Sequence, residues 1–179
     1  KTRPNSISSA IAFTLSSDSQ SLPSDCWIVD SGATQHLTSN FQNLINPSPC
    51  HTSVYTANQQ LLNVTHIGNV TILLSDTSNQ QHKITLLNVL YSTDIAHNFL
   101  SVGRLTAKGG TLTIDDKPRI TLKGMTFPLT KAPNNLLLLQ SLPVNVYLSL
   151  QQWHTRLAHA NKREILKTAK VTKNLQIDK

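Results

Sequence analysis

From Trp27 onward, short runs rich in Val, Ile, Leu and Thr recur between turn residues, and that rhythm restricts the chain more than any other feature. Such runs span 27–29, 52–57, 61–74, 82–91, 110–114 and 119–122. Within Asn69–Leu74 and Lys83–Leu90 polar and apolar residues interleave, as they do on strands with one buried face. The expected class is all-β, a sandwich or barrel with few helices. One short helix is expected over Asn98–Lys108, closed by Gly109-Gly110.

Residues 1–25 are rich in Ser, Asn, Gln and Pro with unpatterned apolar residues, and read as a flexible linker. Structure is expected to begin near Cys26 and to continue to 147. Over 148–179 the spacing turns helical: Leu148, Leu150, Trp153, Leu157, Ile165 and Leu166 fall mostly on one face among Gln, Arg, Lys and Ala. That stretch is expected to be a helical appendage. It also carries most of the charge, since residues 151–179 hold seven basic and two acidic side chains, five units of the chain's +7. A nucleic-acid partner would therefore be met by the tail, while the body is nearly neutral.

The longest apolar stretch, Leu136–Leu139, is too short to span a bilayer, and no signal-peptide core is visible before Ser24. A soluble protein is expected. Cys26 and Cys50 are too few for a disulfide scaffold and do not form a Cys-x-x-Cys pair, so a reducing compartment is the simpler expectation.

The acids are eight Asp and a single Glu, Glu164, which lies in the tail. Asp76, Asp115 and Asp116 fall in turns, and Asp94 suits a cap on the turn or helix after it. Asp30 differs. It ends the apolar run Trp27-Ile28-Val29 and leads into Ser31-Gly32-Ala33-Thr34. A plain β-turn would use the same residues. Emerging from a buried strand, however, the carboxyl would be desolvated while Gly32 lets a backbone N–H approach it, two of the influences that move a pKa.

The segment Trp27-Ile28-Val29-Asp30-Ser31-Gly32-Ala33-Thr34-Gln35-His36-Leu37-Thr38 resembles the protease active-site segment of copia-type LTR retrotransposon Pol polyproteins. Leu87–Tyr91 followed by Asn98-Phe99-Leu100-Ser101-Val102-Gly103-Arg104-Leu105 resembles that family's second-half signature. Trp153-His154-Thr155-Arg156-Leu157-Ala158-His159 resembles its pre-integrase motif. The resemblance implies a retropepsin-like aspartic protease over 26–147, a small closed β-barrel acting as a homodimer, with 148–179 the start of the pre-integrase region. It further implies processing of a Gag-Pol polyprotein, no cofactor, and a cytoplasmic location within virus-like particles.

Under that resemblance Asp30 is the catalytic residue, supported by Ser31, Gly32, Ala33 and Thr34, with Ser31 bracing the loop across the dimer. Water activation by aspartates needs two carboxyls, and this chain has one Asp-Ser-Gly; Asp76-Thr77-Ser78 lacks the glycine. A second copy must then supply the partner Asp30. Tyr55, Thr56, Ala57, Asn58, Gln59 and Gln60 lie where a flap is expected, on a hairpin between the catalytic loop and Ile67-Gly68. In the second-half signature the usual apolar-apolar-Gly reads Phe99-Leu100-Ser101, with glycine delayed to Gly103. Ser101 is accordingly placed behind the active site, with Leu100 and Val102 beside it.

His36, His51, His66, His82 and His97 are scattered without the spacing of a metal site, and chemistry alone gives His36 no role. His154 and His159 resemble half of a zinc site and cannot hold the metal alone. Two other readings stay open: a catalytically silent retropepsin-fold dimerisation or peptide-binding module, and nucleic-acid contact through the basic tail.

Overall fold

The computed structural model describes residues 9–11, 22–23, 25–56, 59–142, 148–149 and 177–178. The chain divides into two compact units, 1–142 and 143–179. In the first, the strands are β1 (Ser9–Ile11), β2 (Cys26–Asp30), β3 (Leu37–Thr38), β4 (Ile45–Pro49), β5 (Ser53–Thr56), β6 (Leu61–Ser75), β7 (Gln81–Ser92), β8 (Asn98–Ser101), β9 (Thr111–Thr113), β10 (Arg119–Leu122), β11 (Met125–Pro128), β12 (Thr130–Lys131) and β13 (Leu137–Gln140). A 3-10 turn covers Phe41–Asn43, and the single α-helix among the described residues is α1 (Val102–Thr106). It is too short to cross a membrane.

The β-rich expectation agrees with this architecture. The large sheet runs β1-β5-β6-β7-β3-β8-β2-β13-β12, with β4 also on β6, and a three-stranded sheet runs β11-β10-β9. Pairing among the described residues thus begins at β1 and ends at β12, so the expected barrel closure is not part of it.

The longest pairing is β6 with β7, joined by a tight turn. Asp76 builds that turn by accepting the N–H groups of Ser78 and Gln80 at 2.8 and 2.9 Å, while Asn79 takes φ 61°. Asn tolerates this left-handed conformation better than most residues with a side chain. Alternation buries Val70, Ile72 and Leu74 on one side of β6. Together with Trp27, Leu100 and Phe127 they form the larger apolar core. A second core joins the hairpin base, Val54, Leu62 and Val64, to Ile28, Ala33, Leu37 and Phe99 around the Asp30 loop.

Two expectations change. The helix expected over Asn98–Lys108 starts only at Val102, because Asn98–Ser101 is a fully buried strand lying between β2 and β3. Pairing on both edges overrides local helical preference, and the Ser101 hydroxyl then caps the helix by accepting the Arg104 N–H at 3.2 Å. The helix ends at Thr106, and the turn after it closes at Gly109, which adopts φ +79°. In the stretch expected to be a linker, Ser9–Ile11 forms β1 in parallel with β5, along an edge that offers unpaired backbone groups.

Of the second unit, the described residues are β14 (Leu148–Ser149) and β15 (Ile177–Asp178), which pair in parallel. These four residues are strand where a helical appendage was expected. The remainder of that appendage, with His154, His159 and most of the basic charge, lies outside the described residues.

Candidate active site

Strand β2 delivers Asp30 to the surface of the sheet. Trp27 and Ile28 are buried, Val29 is half-buried, and the ladder continues through Asp30, which stands in register with Ser101 of the parallel strand β8. Beyond Asp30 the chain turns through 31–36 and returns as β3, which pairs with the other edge of β8 at Leu37 and Phe99. Strand β8 therefore passes between the two arms of the loop. Ala33 is buried within it, while Ser31 and Thr34 are exposed.

The carboxyl is held asymmetrically. Oδ1 accepts the Gly32 N–H at 2.7 Å. Oδ2 is buried and has no hydrogen-bond partner among the described residues. Burial raises the Asp30 pKa above the usual 3.8, opposed by the Gly32 and Ala33 N–H groups. Desolvation favours the neutral acid, and the donors favour the anion. The result is a carboxyl that gives up its proton reluctantly and keeps one oxygen in need of a partner.

Behind the loop, Ser101 makes three polar connections. Its hydroxyl donates to the Ala33 carbonyl at 2.5 Å while capping α1, and its N–H donates to His36 Nδ1 at 3.1 Å. Ser101, expected behind the active site, stands in register with Asp30, and its hydroxyl links the loop to the start of α1. Leu100 belongs to the larger core, Val102 is half-buried and Gly103 exposed on α1. Arg104 donates to Gln35 Oε1. At the start of β8, Asn98 accepts from the Thr38 hydroxyl at 2.8 Å and donates to the Cys26 carbonyl at 3.1 Å. These bonds tie β2, β3 and β8 into one support, to which sequence reasoning gave Asn98 and Thr38 no part.

The expected flap is a hairpin formed by β5 and β6, with Tyr55 opposite Leu61. Both are exposed. Thr56 secures the tip, its hydroxyl donating to the Gln60 carbonyl and accepting the Gln60 N–H at 3.1 and 3.0 Å. Gln59 takes φ 63° there. Ala57 and Asn58 lie outside the described residues. Asp94, read as a cap, instead accepts the Asn63 N–H at 2.6 Å and so fastens the hairpin base to the turn after β7.

Both cysteines are free thiols, and no cluster that could hold a metal occurs among the described residues. The candidate chemistry is that of the Asp30 carboxyl.

His36 has a pH consequence. Burial, and secondarily the positive charge of Arg104, pull its pKa from 6.5 down to about 4. A His depressed in the folded state supports folding fully above its unfolded value and loses that support as pH falls from 6.5 towards about 4. Full loss amounts to about 3 kcal/mol. Asp76 and Asp115, held low by His82 and Arg119 respectively, lose their support only below the ordinary 3.8. Asp30 has the opposite sign: its raised pKa gives support that is complete below 3.8 and lost as pH rises. Urea unfolding between pH 6.5 and 4 is therefore expected to show declining stability in an Asp30→Asn background, and a flatter profile once His36 is replaced by Asn.

A chain built mostly of β-strands agrees with the family comparison. Residues 27–110 match the family described as Pol polyprotein, beta-barrel domain. The chain is 28% identical over 151 residues to the retrovirus-related Pol polyprotein from transposon RE1 of Arabidopsis thaliana, covering 76% of this chain and 10% of that protein. It is 37% identical over 81 residues to the corresponding polyprotein from transposon RE2, also of Arabidopsis thaliana, covering 44% of this chain and 5% of the relative. Over these residues the chain is similar to the Pol polyproteins of retrotransposons. It spans about a tenth or less of the length of these relatives. No solved structure gives a significant match.

Proposed function

We propose that the body of this chain is a retropepsin-like aspartic endopeptidase that processes a Gag-Pol polyprotein, with its catalytic pair formed by Asp30 of two copies. The observation that carries the reading is the state of Asp30: one oxygen bonded to Gly32 N–H, the other buried with no hydrogen-bond partner among the described residues, the acid pushed towards its protonated form. A second Asp30 brought to that orphan oxygen satisfies it with a shared proton.

In the pair, one carboxylate takes a proton from water as the water attacks the scissile carbonyl. The other, protonated, donates to the carbonyl oxygen as charge develops there. The first then returns its proton to the leaving amine while the second recovers its own from a gem-diol hydroxyl, so the C–N bond breaks, a carboxylic acid forms and the pair again holds one proton. Ser31, exposed beside Asp30, braces the loop across the dimer. The hairpin bearing Tyr55 and Thr56 closes over an extended peptide, which adds to it as a strand. The two carboxyls titrate as a coupled pair, so the pH–rate profile is bell-shaped.

The purified chain is expected to cleave a tethered Gag-protease substrate and to be inhibited by a pepstatin-like transition-state mimic. No cleavage at any pH from acid to neutral, with dimer present in sedimentation, would contradict the peptidase reading and leave a non-catalytic dimerisation module.

A further inference from the structure

His36 is buried beside the Asp30 loop, and the proposed hydrolysis gives it no task. Its surroundings define one. Leu37 pairs with Phe99, but two residues earlier the chain has left the ladder, so no strand neighbour lies opposite Ser101 on that edge of β8. The Ser101 N–H is buried at 0% residue exposure and needs an acceptor. His36 Nδ1 supplies it at 3.1 Å. The His36 backbone is anchored separately, its carbonyl accepting the Leu90 N–H at 3.0 Å.

An amide N–H can only donate, so Nδ1 must carry its lone pair towards Ser101. The ring is then neutral with its proton on Nε2. Ser101 is the residue in register with Asp30, and its hydroxyl also holds the Ala33 carbonyl. The imidazole, Ser101 and the 30–33 turn thus form one chain of contacts ending at the carboxyl.

We propose that His36 is a positioning residue of the catalytic loop: Nδ1 accepts the Ser101 amide, fixing the end of β8 and, through it, the aim of the Asp30 carboxyl. The catalytic consequence rests on the peptidase reading above. The geometric part stands without it. Arg104 faces the same cluster and favours the neutral ring.

The test compares two polar substitutions that differ by one bond. Asn in His36→Asn places its oxygen near the Nδ1 position and can accept from Ser101. Gln in His36→Gln carries its carbonyl about one bond too far, near the Nε2 position. In the full chain, H36N is expected to keep kcat within about threefold of wild type. H36Q is expected to lose about 10–100-fold in kcat with little change in KM, as for a misaligned catalytic group.

Two readouts need no cleavage. In ¹⁵N-histidine spectra of the wild type, His36 should show unprotonated Nδ1 and protonated Nε2 above pH 5. Exchange of the Gly32 amide, bonded to Asp30, should quicken by about tenfold in H36Q and stay near wild type in H36N. Equal kcat and equal Gly32 exchange in the two variants would overturn the proposal, as would a proton on Nδ1. A wild type that never cleaves, with the spectral and exchange results as expected, would remove the peptidase reading and leave the positioning contact standing.

Discussion

Asp30→Asn is expected to lower peptide cleavage on the order of 10³-fold or more, because in a dimer of variant chains both the general base and the general acid are lost together. The same change is expected to stabilise the folded chain at neutral pH by about 1 kcal/mol. Asp30 accepts the Gly32 N–H on Oδ1, Oδ2 has no hydrogen-bond partner among the described residues, and burial opposes its ionisation. A neutral amide keeps the Gly32 bond and removes the charge that burial penalises. The dimer should tighten too, since two carboxyls no longer have to share one proton. Loss of activity with a gain in stability marks a functional group held in an unfavourable setting. Urea denaturation and sedimentation at pH 7 read both effects. A variant that loses activity and stability together would mean that Asp30 supports the loop instead.

The second large effect concerns the strand that carries Asp30. Trp27→Ala is expected to cost about 3–5 kcal/mol, the range for truncating a large buried aromatic residue. Trp27 is 1% exposed, belongs to the larger core with Leu100 and Phe127, and lies in register with Asn98 and Leu139 on its two neighbouring strands. The resulting cavity would lie under both β2 and β8, so partial collapse would shift the support of the Asp30 loop. In a domain of marginal stability such a loss removes a large share of the total. The thermal midpoint should fall on the order of 10–20 °C. A shift of only a few degrees would show that this core repacks without its indole.

What could be read in advance was the structure that announces itself locally. Strands β6 and β7 were legible because alternation over Asn69–Leu74 and Lys83–Leu90 records a buried face, β10 because a β-rich run stands between turn residues, and the hairpin of Tyr55 and Leu61 because its polar tip falls between the Asp30 loop and Ile67-Gly68. Strand β8 was not. Asn98–Ser101 is buried on every side, so it carries no alternation, and the residues after it do form a helix. Strands β3 and β12 are two residues long and exist only through their neighbours.

The candidate site divides along the same line. Asp30 was visible from its place between an apolar strand and a glycine, and Ser101 from its offset within the second-half signature. His36 and Asn98 were not, since each acts through partners sixty or more residues away in sequence, Ser101 for one and Thr38 and Cys26 for the other. Such bonds follow from tertiary register, and a residue list shows only that imidazole and carboxamide are present.

The central claim, that two chains build one catalytic pair, is tested most directly by mixing. Wild type and Asp30→Asn are combined at fixed total concentration, allowed to exchange subunits, and assayed for cleavage of an added peptide. If each active site draws one Asp30 from each of two chains, the rate follows about the square of the wild-type fraction, so that half wild type gives about a quarter of the full rate. A rate that falls in simple proportion to the wild-type fraction would show that a single chain cleaves on its own, and the shared pair would be wrong.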